Sequence, residues 1–186
     1  QLFEADRMTV YVASEDQQSI VSKVKTGLNS FKDIKLPISE SSLAGFCALN
    51  RRHMNIRDVY DDAELKQYSP NLTFLKAVDQ RTGYRSKQML IAPILGGESG
   101  SDLMGVLQLI NRLDPATREV GAFTSSDQRL AESLASQAAI ALTNRHLINQ
   151  LEELFESFIA LINTAIDEKS PYTGGHCQRV PVLTMM

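Results

Sequence analysis

Two strand pairs, several short helices and one long C-terminal helix place this 186-residue chain in the α+β class. Three observations carry that reading. Alternating β-branched residues mark paired strands at 8–14 and 19–26, and two continuous apolar runs at 88–95 and 103–110 flank a glycine-rich turn. Beyond Phe123 the apolar spacing turns helical and stays so as far as Ala165.

Taken in order, Val10 and Val12 alternate in the first strand, and Ile20, Val21 and Val24 fill the second, with Glu15–Gln18 as a polar turn between them. Lys35–Ile38 is extended because Pro37 fixes its own dihedral and biases its neighbour. Ser39–Ser42 then supplies capping side chains for a short helix over 43–49, and a strand follows at 54–59. The stretch 60–85 is polar and broken, with helical pieces expected at 62–68 and 72–78 on either side of Ser69-Pro70-Asn71. So long a connection in a small domain usually has a task. The unbroken apolarity of 88–95 and 103–110 implies central strands covered on both faces. Ser125 and Gln128 fit a capping box that opens the long helix. Steps of four and three from Leu130 pass through Leu134, Gln137, Ala141, Asn144, Ile148, Leu151, Phe155, Phe158 and Ile162 to Ala165, and nine of these eleven are apolar. Such a heptad seam is expected to meet the same seam on a second copy, with Asn144 fixing the register. The simpler reading has the first half packing on its own sheet and the second half on another domain.

Composition narrows the function. The chain is 43% apolar and 22% charged, with 19 basic and 22 acidic side chains and a net charge of −3. That balance suits one domain plus an extension and offers no basic surface for nucleic acid. No run approaches the roughly 20 apolar residues of a membrane span, and the N-terminus lacks an export signal, so a reduced cytoplasmic setting without membrane insertion is expected. Cys47 and Cys177 lie far apart without a CxxC motif, which suggests neither disulfide nor zinc. His53 and His146 stand alone and receive no role. GxxxxGK[ST], GxGxxG and GxSxG motifs are missing, which removes nucleotide-triphosphatase and serine-hydrolase readings. The chain begins without Met and stops at Met186 without a terminating feature, and it reads as a piece of a longer protein.

The densest chemistry lies in Asp79 to Lys87. Asp79, Thr82 and Ser86 recur at three and four, so one turn could aim a carboxylate and two hydroxyls together. A polar trio against an apolar sheet suits a small ligand with hydrogen-bonding edges. On pattern alone, a capped and solvated loop accounts for it better.

Several segments in order resemble a known family: Leu36-Pro37-Ile38, Ser42–Phe46, Asn55–Tyr60, Val78–Ser86, Leu90–Ile94 and Gly105–Arg112. Over about residues 5–145 the chain closely resembles GAF domains of the cyclic-nucleotide phosphodiesterase and adenylyl cyclase type. The resemblance implies an antiparallel sheet of about six strands with helices on both faces, extended by a long C-terminal helix that pairs with a partner. It implies a small-molecule pocket, with a cyclic nucleotide as the candidate ligand, lined by Thr9, Leu43, Ala44, Asp79, Thr82, Ser86 and Gln108. The Ala44 amide near a helix start would suit an anion. The Asn-Lys, Phe, Asp-Glu signature of such domains is approached by Asn111-Arg112, Phe123 and Asp127-Gln128. There an Arg112–Asp127 ion pair would tie the last strand to the helix start. Lys25-Thr26 and Leu75 stand where related domains place aromatic and acidic pocket residues, which weakens stacking on a base.

Residues 165–180, with the core Tyr172-Thr173-x-x-His176-x-x-Arg179-Val180, resemble the opening of HD-GYP and related metal-dependent phosphohydrolases. There His176 would be a first ligand of a divalent metal. Three histidines and no His-Asp dipeptide cannot complete such a site, so the fragment itself holds no metal and is not expected to be an enzyme. The expected organisation is a GAF sensor over 1–128 whose N-terminal helix is cut, a signalling and homodimerisation helix over 126–168, and the start of an HD-type domain over 169–186. The expected function is a regulatory sensor of a small ligand controlling a phosphodiesterase. The rival is a ligand-free dimerisation module. A sulfoxide reductase of this fold ranks third, since it would want more cysteine chemistry than Cys47 and Cys177 offer.

Overall fold

The structure, a computed structural model, describes residues 4–26, 33–97, 100–114 and 116–169, with residues 78, 81, 82 and 167–169 described by backbone alone. The chain divides into two units, Gln1–Thr143 and Asn144–Met186. In the first, strands β1 (Ala5–Ala13), β2 (Ser19–Thr26), β3 (Lys35–Pro37), β4 (Met54–Ile56), β5 (Met89–Gly96) and β6 (Asp102–Leu113) form one antiparallel sheet in the order β3-β2-β1-β6-β5-β4. A two-residue strand β7 (Val120–Gly121) pairs with the end of β6.

The sheet is buried on both faces because β5 and β6 carry apolar residues at successive positions, and successive side chains point to opposite sides. One face packs Met89, Ile91, Val106 and Ile110 beneath helix α1 (Leu43–Asn50) and the core residues Leu65 and Leu72. The other packs Leu90, Ile94, Leu107 and Leu109 against Ala131, Ala135 and Ala139 of helix α4 (Ser125–Lys169). Helices α2 (Asp62–Lys66) and α3 (Lys76–Thr82) complete the long connection between β4 and β5.

Local chemistry sets the helix starts. The Ser42 hydroxyl accepts from Gly45 N at 3.1 Å and caps α1. A Cβ at Gly45 would run into the carbonyl oxygens of Pro37 and Ser39, so glycine is what lets α1 lie this close to the preceding chain. Asp61 caps α2, accepting from Ala63 N at 2.9 Å and Glu64 N at 3.3 Å.

Several expected boundaries move. β1 starts at Ala5 rather than residue 8, because β6 runs far enough to give Ala5 a partner in Arg112. β4 ends at Ile56 rather than 59, where the Glu64 carboxylate accepts Arg57 N at 3.0 Å and Asp58 N at 3.1 Å and turns the chain off the ladder. The helix expected at 72–78 lies instead at Lys76–Thr82. Leu72 is held in the core by a turn, its N–H donating to Ser69 O at 3.2 Å, so the helix begins only after it. The box that opens α4 is Thr124 with Asp127, not Ser125 with Gln128. Thr124 N donates to Asp127 Oδ2 at 2.7 Å and Asp127 N to Thr124 Oγ1 at 3.2 Å, while the Gln128 side chain reaches Glu132 at 3.1 Å.

The residues of α4 that pack on the sheet are not those of the heptad seam. Within the first unit, the alanines 131, 135 and 139 are buried, whereas Leu130 is exposed. In the second unit the described residues continue helical, and Ile148, Leu151, Phe155, Phe158 and Ile162 are all exposed in the single chain. Among the described residues no helix is long and apolar enough to cross a membrane. The Tyr172–Val180 segment with His176 lies outside the described residues.

Candidate ligand-binding site

On the α1 side of the sheet a cavity of about 130 Å³ opens between the strands and the helical layer. Its floor is Arg7, Thr9 and Tyr11 of β1 and Gln108 and Ile110 of β6. Thr9 stands directly opposite Gln108 and Arg7 opposite Ile110 in the ladder, which aligns these side chains on one face. Leu43 and Ala44 at the start of α1 form one wall, and Phe74, Leu75, Asp79 and Ser86 form the other.

Asp79 holds that second wall in place. Its carboxylate accepts from Ser86 N and Ser86 Oγ, both at 2.8 Å, and from Tyr60 Oη at 3.2 Å. The Tyr60 ring is covered by the Arg85 guanidinium, 3.4 Å from its centroid, and meets Phe74 at 5.5 Å. Arg85 in turn pairs with Asp58 at 3.2 Å. The floor is differently placed. Among the described residues the Thr9 hydroxyl has no hydrogen-bond partner, and the Gln108 amide reaches only the Met89 sulfur at 3.3 Å, a weak acceptor.

Ionisable groups nearby are chemically quiet. Burial pushes Tyr11 up to about 12 and the fully buried Cys47 thiol likewise to about 12. Tyr84 is raised further, first by burial and then by its 2.6 Å hydrogen bond to Asp6. A buried neutral thiol and neutral phenols bind and pack rather than attack.

Six of the seven pocket residues expected from the sequence, Thr9, Leu43, Ala44, Asp79, Ser86 and Gln108, line this one cavity. The Thr82 side chain lies outside the described residues. Lys25 and Thr26 do not line the cavity, whereas Leu75 does, half exposed, beside Phe74. Sequence reasoning missed Arg7, Tyr11 and Phe74. The first two could have been found by stepping two residues either way from Thr9, since such positions share a strand face.

Asn111, Arg112, Phe123 and Asp127 lie outside the cavity lining and brace the fold. Asn111 sits in the left-handed region at φ 53°. Its Oδ1 accepts from Lys87 N at 2.8 Å and Gln88 N at 3.1 Å, and its Nδ2 donates to Tyr84 Oη at 2.8 Å and Arg85 O at 2.9 Å. Arg112 Nε lies 2.9 Å from Asp127 Oδ2, an ion pair across the β6–α4 junction in which the N–H is not aligned for a hydrogen bond. Phe123 is buried and its carbonyl accepts from Asn55 Nδ2 at 3.2 Å. His53, given no role, lies 3.3 Å from Glu132 on α4.

Compared with known families, residues 1–142 match the GAF domain. The chain belongs to the GAF domain family. This GAF domain is 26% identical over 161 residues to a probable 3',5'-cyclic phosphodiesterase, pde-5, of Caenorhabditis elegans, covering 81% of the chain and 20% of that protein. It is 24% identical over 177 residues to dual 3',5'-cyclic-AMP and -GMP phosphodiesterase 11A of Takifugu rubripes, covering 89% and 18%. The chain thus spans a fifth or less of the length of these relatives. Among solved structures, residues 122 to 287 of a methyl-accepting chemotaxis protein superpose with a TM-score of 0.59 at 21% identity, covering 77% of this chain and 81% of that one. The GAF domain of an Acinetobacter phosphoenolpyruvate-protein phosphotransferase gives 0.56 at 16%, covering 79% and 76%. These likenesses establish the GAF fold, and the chain is a regulatory domain related to GAF regions of phosphodiesterases.

Proposed function

We propose that this GAF domain senses a small ligand, a cyclic nucleotide being the leading candidate, in the cavity between β1, β6 and α1. The observation that carries this reading is convergence. Residues far apart in the chain, Thr9, Ala44, Asp79, Ser86 and Gln108, meet around one apolar-walled space, the general form of a small-molecule site. The relatedness to 3',5'-cyclic phosphodiesterases supports the choice of ligand. At about 130 Å³ the cavity is smaller than the roughly 300 Å³ at which sites for drug-sized ligands begin, so a nucleotide enters only as the wall widens. The half-exposed Leu75, next to the start of α3, belongs to the part of that wall nearest solvent.

In the same proposal α4 pairs with its counterpart in a second copy and relays the ligand's effect to an HD-type, metal-dependent phosphohydrolase of the cytoplasm that begins near residue 169 and uses His176 as a metal ligand. A ligand shifts such an equilibrium only by its differential affinity for the two arrangements. Calorimetric titration with cAMP and cGMP tests the pocket, with Gln108→Leu as the control. Saturable heat that falls away in the variant supports the sensor. Silence with both nucleotides favours the second reading, a ligand-free dimerisation module, which the small cavity and the exposed apolar residues of the second unit recommend.

A further inference from the structure

We propose that Arg7 is the anion-holding residue of this cavity, so that the ligand is selected for a phosphate group and not only for its ring system; the inference rests on the pocket reading above. Arg7 is half-buried on the cavity floor. Its guanidinium lies 3.3 Å from the centroid of the Tyr84 ring. Tyr84 is itself fixed, donating to Asp6 at 2.6 Å and accepting from Asn111 at 2.8 Å. Stacking occupies a face of the guanidinium and leaves its in-plane N–H groups available, the geometry that grips phosphate with two parallel hydrogen bonds. Among the described residues no carboxylate pairs with Arg7 and no hydrogen bond engages it. Its charge is thus left to water and the Tyr84 ring, and is available to an incoming anion.

The rest of the cavity agrees. Arg7, Thr9 and Gln108 form a row on the sheet with unfilled hydrogen-bonding capacity, whereas Asp79 and Ser86 opposite are bonded to each other. Recognition is therefore a property of the floor, and the Asp79–Ser86 wall is a strut. Leu43 and Ala44, at the first turn of α1, line the same cavity, and the start of a helix carries the sign that an anion requires.

The test compares cAMP and cGMP with the uncharged nucleosides adenosine and guanosine by calorimetry, on the wild type, Arg7→Met and Arg7→Lys. Methionine keeps most of the packing on Tyr84, and thermal unfolding of each variant checks that the fold survives. The expected result is tighter wild-type binding of a cyclic nucleotide than of its nucleoside. Arg7→Met should then lose about ten- to a hundredfold for the nucleotide and little for the nucleoside, with Arg7→Lys between. Rising salt should weaken nucleotide binding to the wild type more than to Arg7→Met. Equal nucleotide affinity in wild type and Arg7→Met overturns the role of Arg7 while leaving the pocket standing. A wild type that binds neither nucleotide overturns both.

Discussion

Replacing Asn111 by alanine should destabilise this domain by about 3–6 kcal/mol, and the figure follows from its contacts. Gln88 is 5% exposed, so its N–H loses its Asn111 acceptor without water to replace it, at about 1–3 kcal/mol. Lys87 is exposed and its N–H rehydrates at little cost. Losing the bonds to Tyr84 Oη and Arg85 O removes about 1 kcal/mol more. Alanine at φ 53° pays about 1–2 kcal/mol that asparagine largely escapes. At roughly 2–4 °C per kcal/mol for a chain of this size, the melting temperature should fall by about 6–24 °C. Urea titration with an unchanged slope would attribute the loss to stability rather than to a change of native state. Two companions divide the effect. Asn111→Gly removes the backbone strain and should recover about 1–2 kcal/mol over alanine. Asn111→Asp keeps the acceptor for Lys87 and Gln88 but sets a charge against the Arg85 carbonyl, so it should fall between wild type and alanine. If Asn111→Ala melts within about 2 °C of wild type, or glycine is no better than alanine, the clamp is not what holds residues 84–88.

Asp79→Ala should cost about 2–4 kcal/mol and expose α3 to limited proteolysis, because the buried Ser86 N–H and hydroxyl lose a charged acceptor; unchanged cleavage would deny it a strut role. Stability should decline between about pH 9 and 12. The folded pKa values of Cys47 and Tyr11 are raised from 9.0 and 10.0 to about 12, so the unfolded chain loses these protons first; a flat urea midpoint across that window would contradict their burial. In a Cys177→Ser background Cys47 should resist alkylation until the protein is unfolded, and rapid labelling of the native protein would show the thiol to be reachable. Leu151→Glu with Phe155→Glu should sediment as a monomer where the parent is dimeric, and an unchanged mass would dismiss the apolar seam.

Strands were legible where composition and register agree. β-branched alternation placed β2 at its observed bounds, and the flanking apolar runs located β5 and β6 closely, because burial on two faces leaves an unmistakable pattern. Boundaries governed by side-chain acceptors were not. Glu64 ends β4 by reaching back seven residues to Arg57, and Leu72 delays α3 by occupying the core, neither of which periodicity records. The start of α4 was misread because Thr124 and Asp127 satisfy the same pattern one residue earlier with a shorter acid. In the site, the resemblance supplied residues of both walls and Thr9 and Gln108 of the floor, whereas Arg7 follows only from the two-residue period of β1 counted from Thr9. Asp79 was legible as polar but not as occupied, since its Ser86 and Tyr60 partners are defined only once the chain folds.

The alanine stripe of α4 has a mechanical implication. Residues 131, 135 and 139 offer the sheet methyl groups alone, so the middle of this contact is shallow, and Leu142 is the longer side chain packed beside it. Beneath it, Leu107 and Leu109 alternate with Gln108 along the same strand, pointing to opposite faces. Any displacement of Gln108 on the cavity side is therefore a displacement of the bed on which the alanine rail rests.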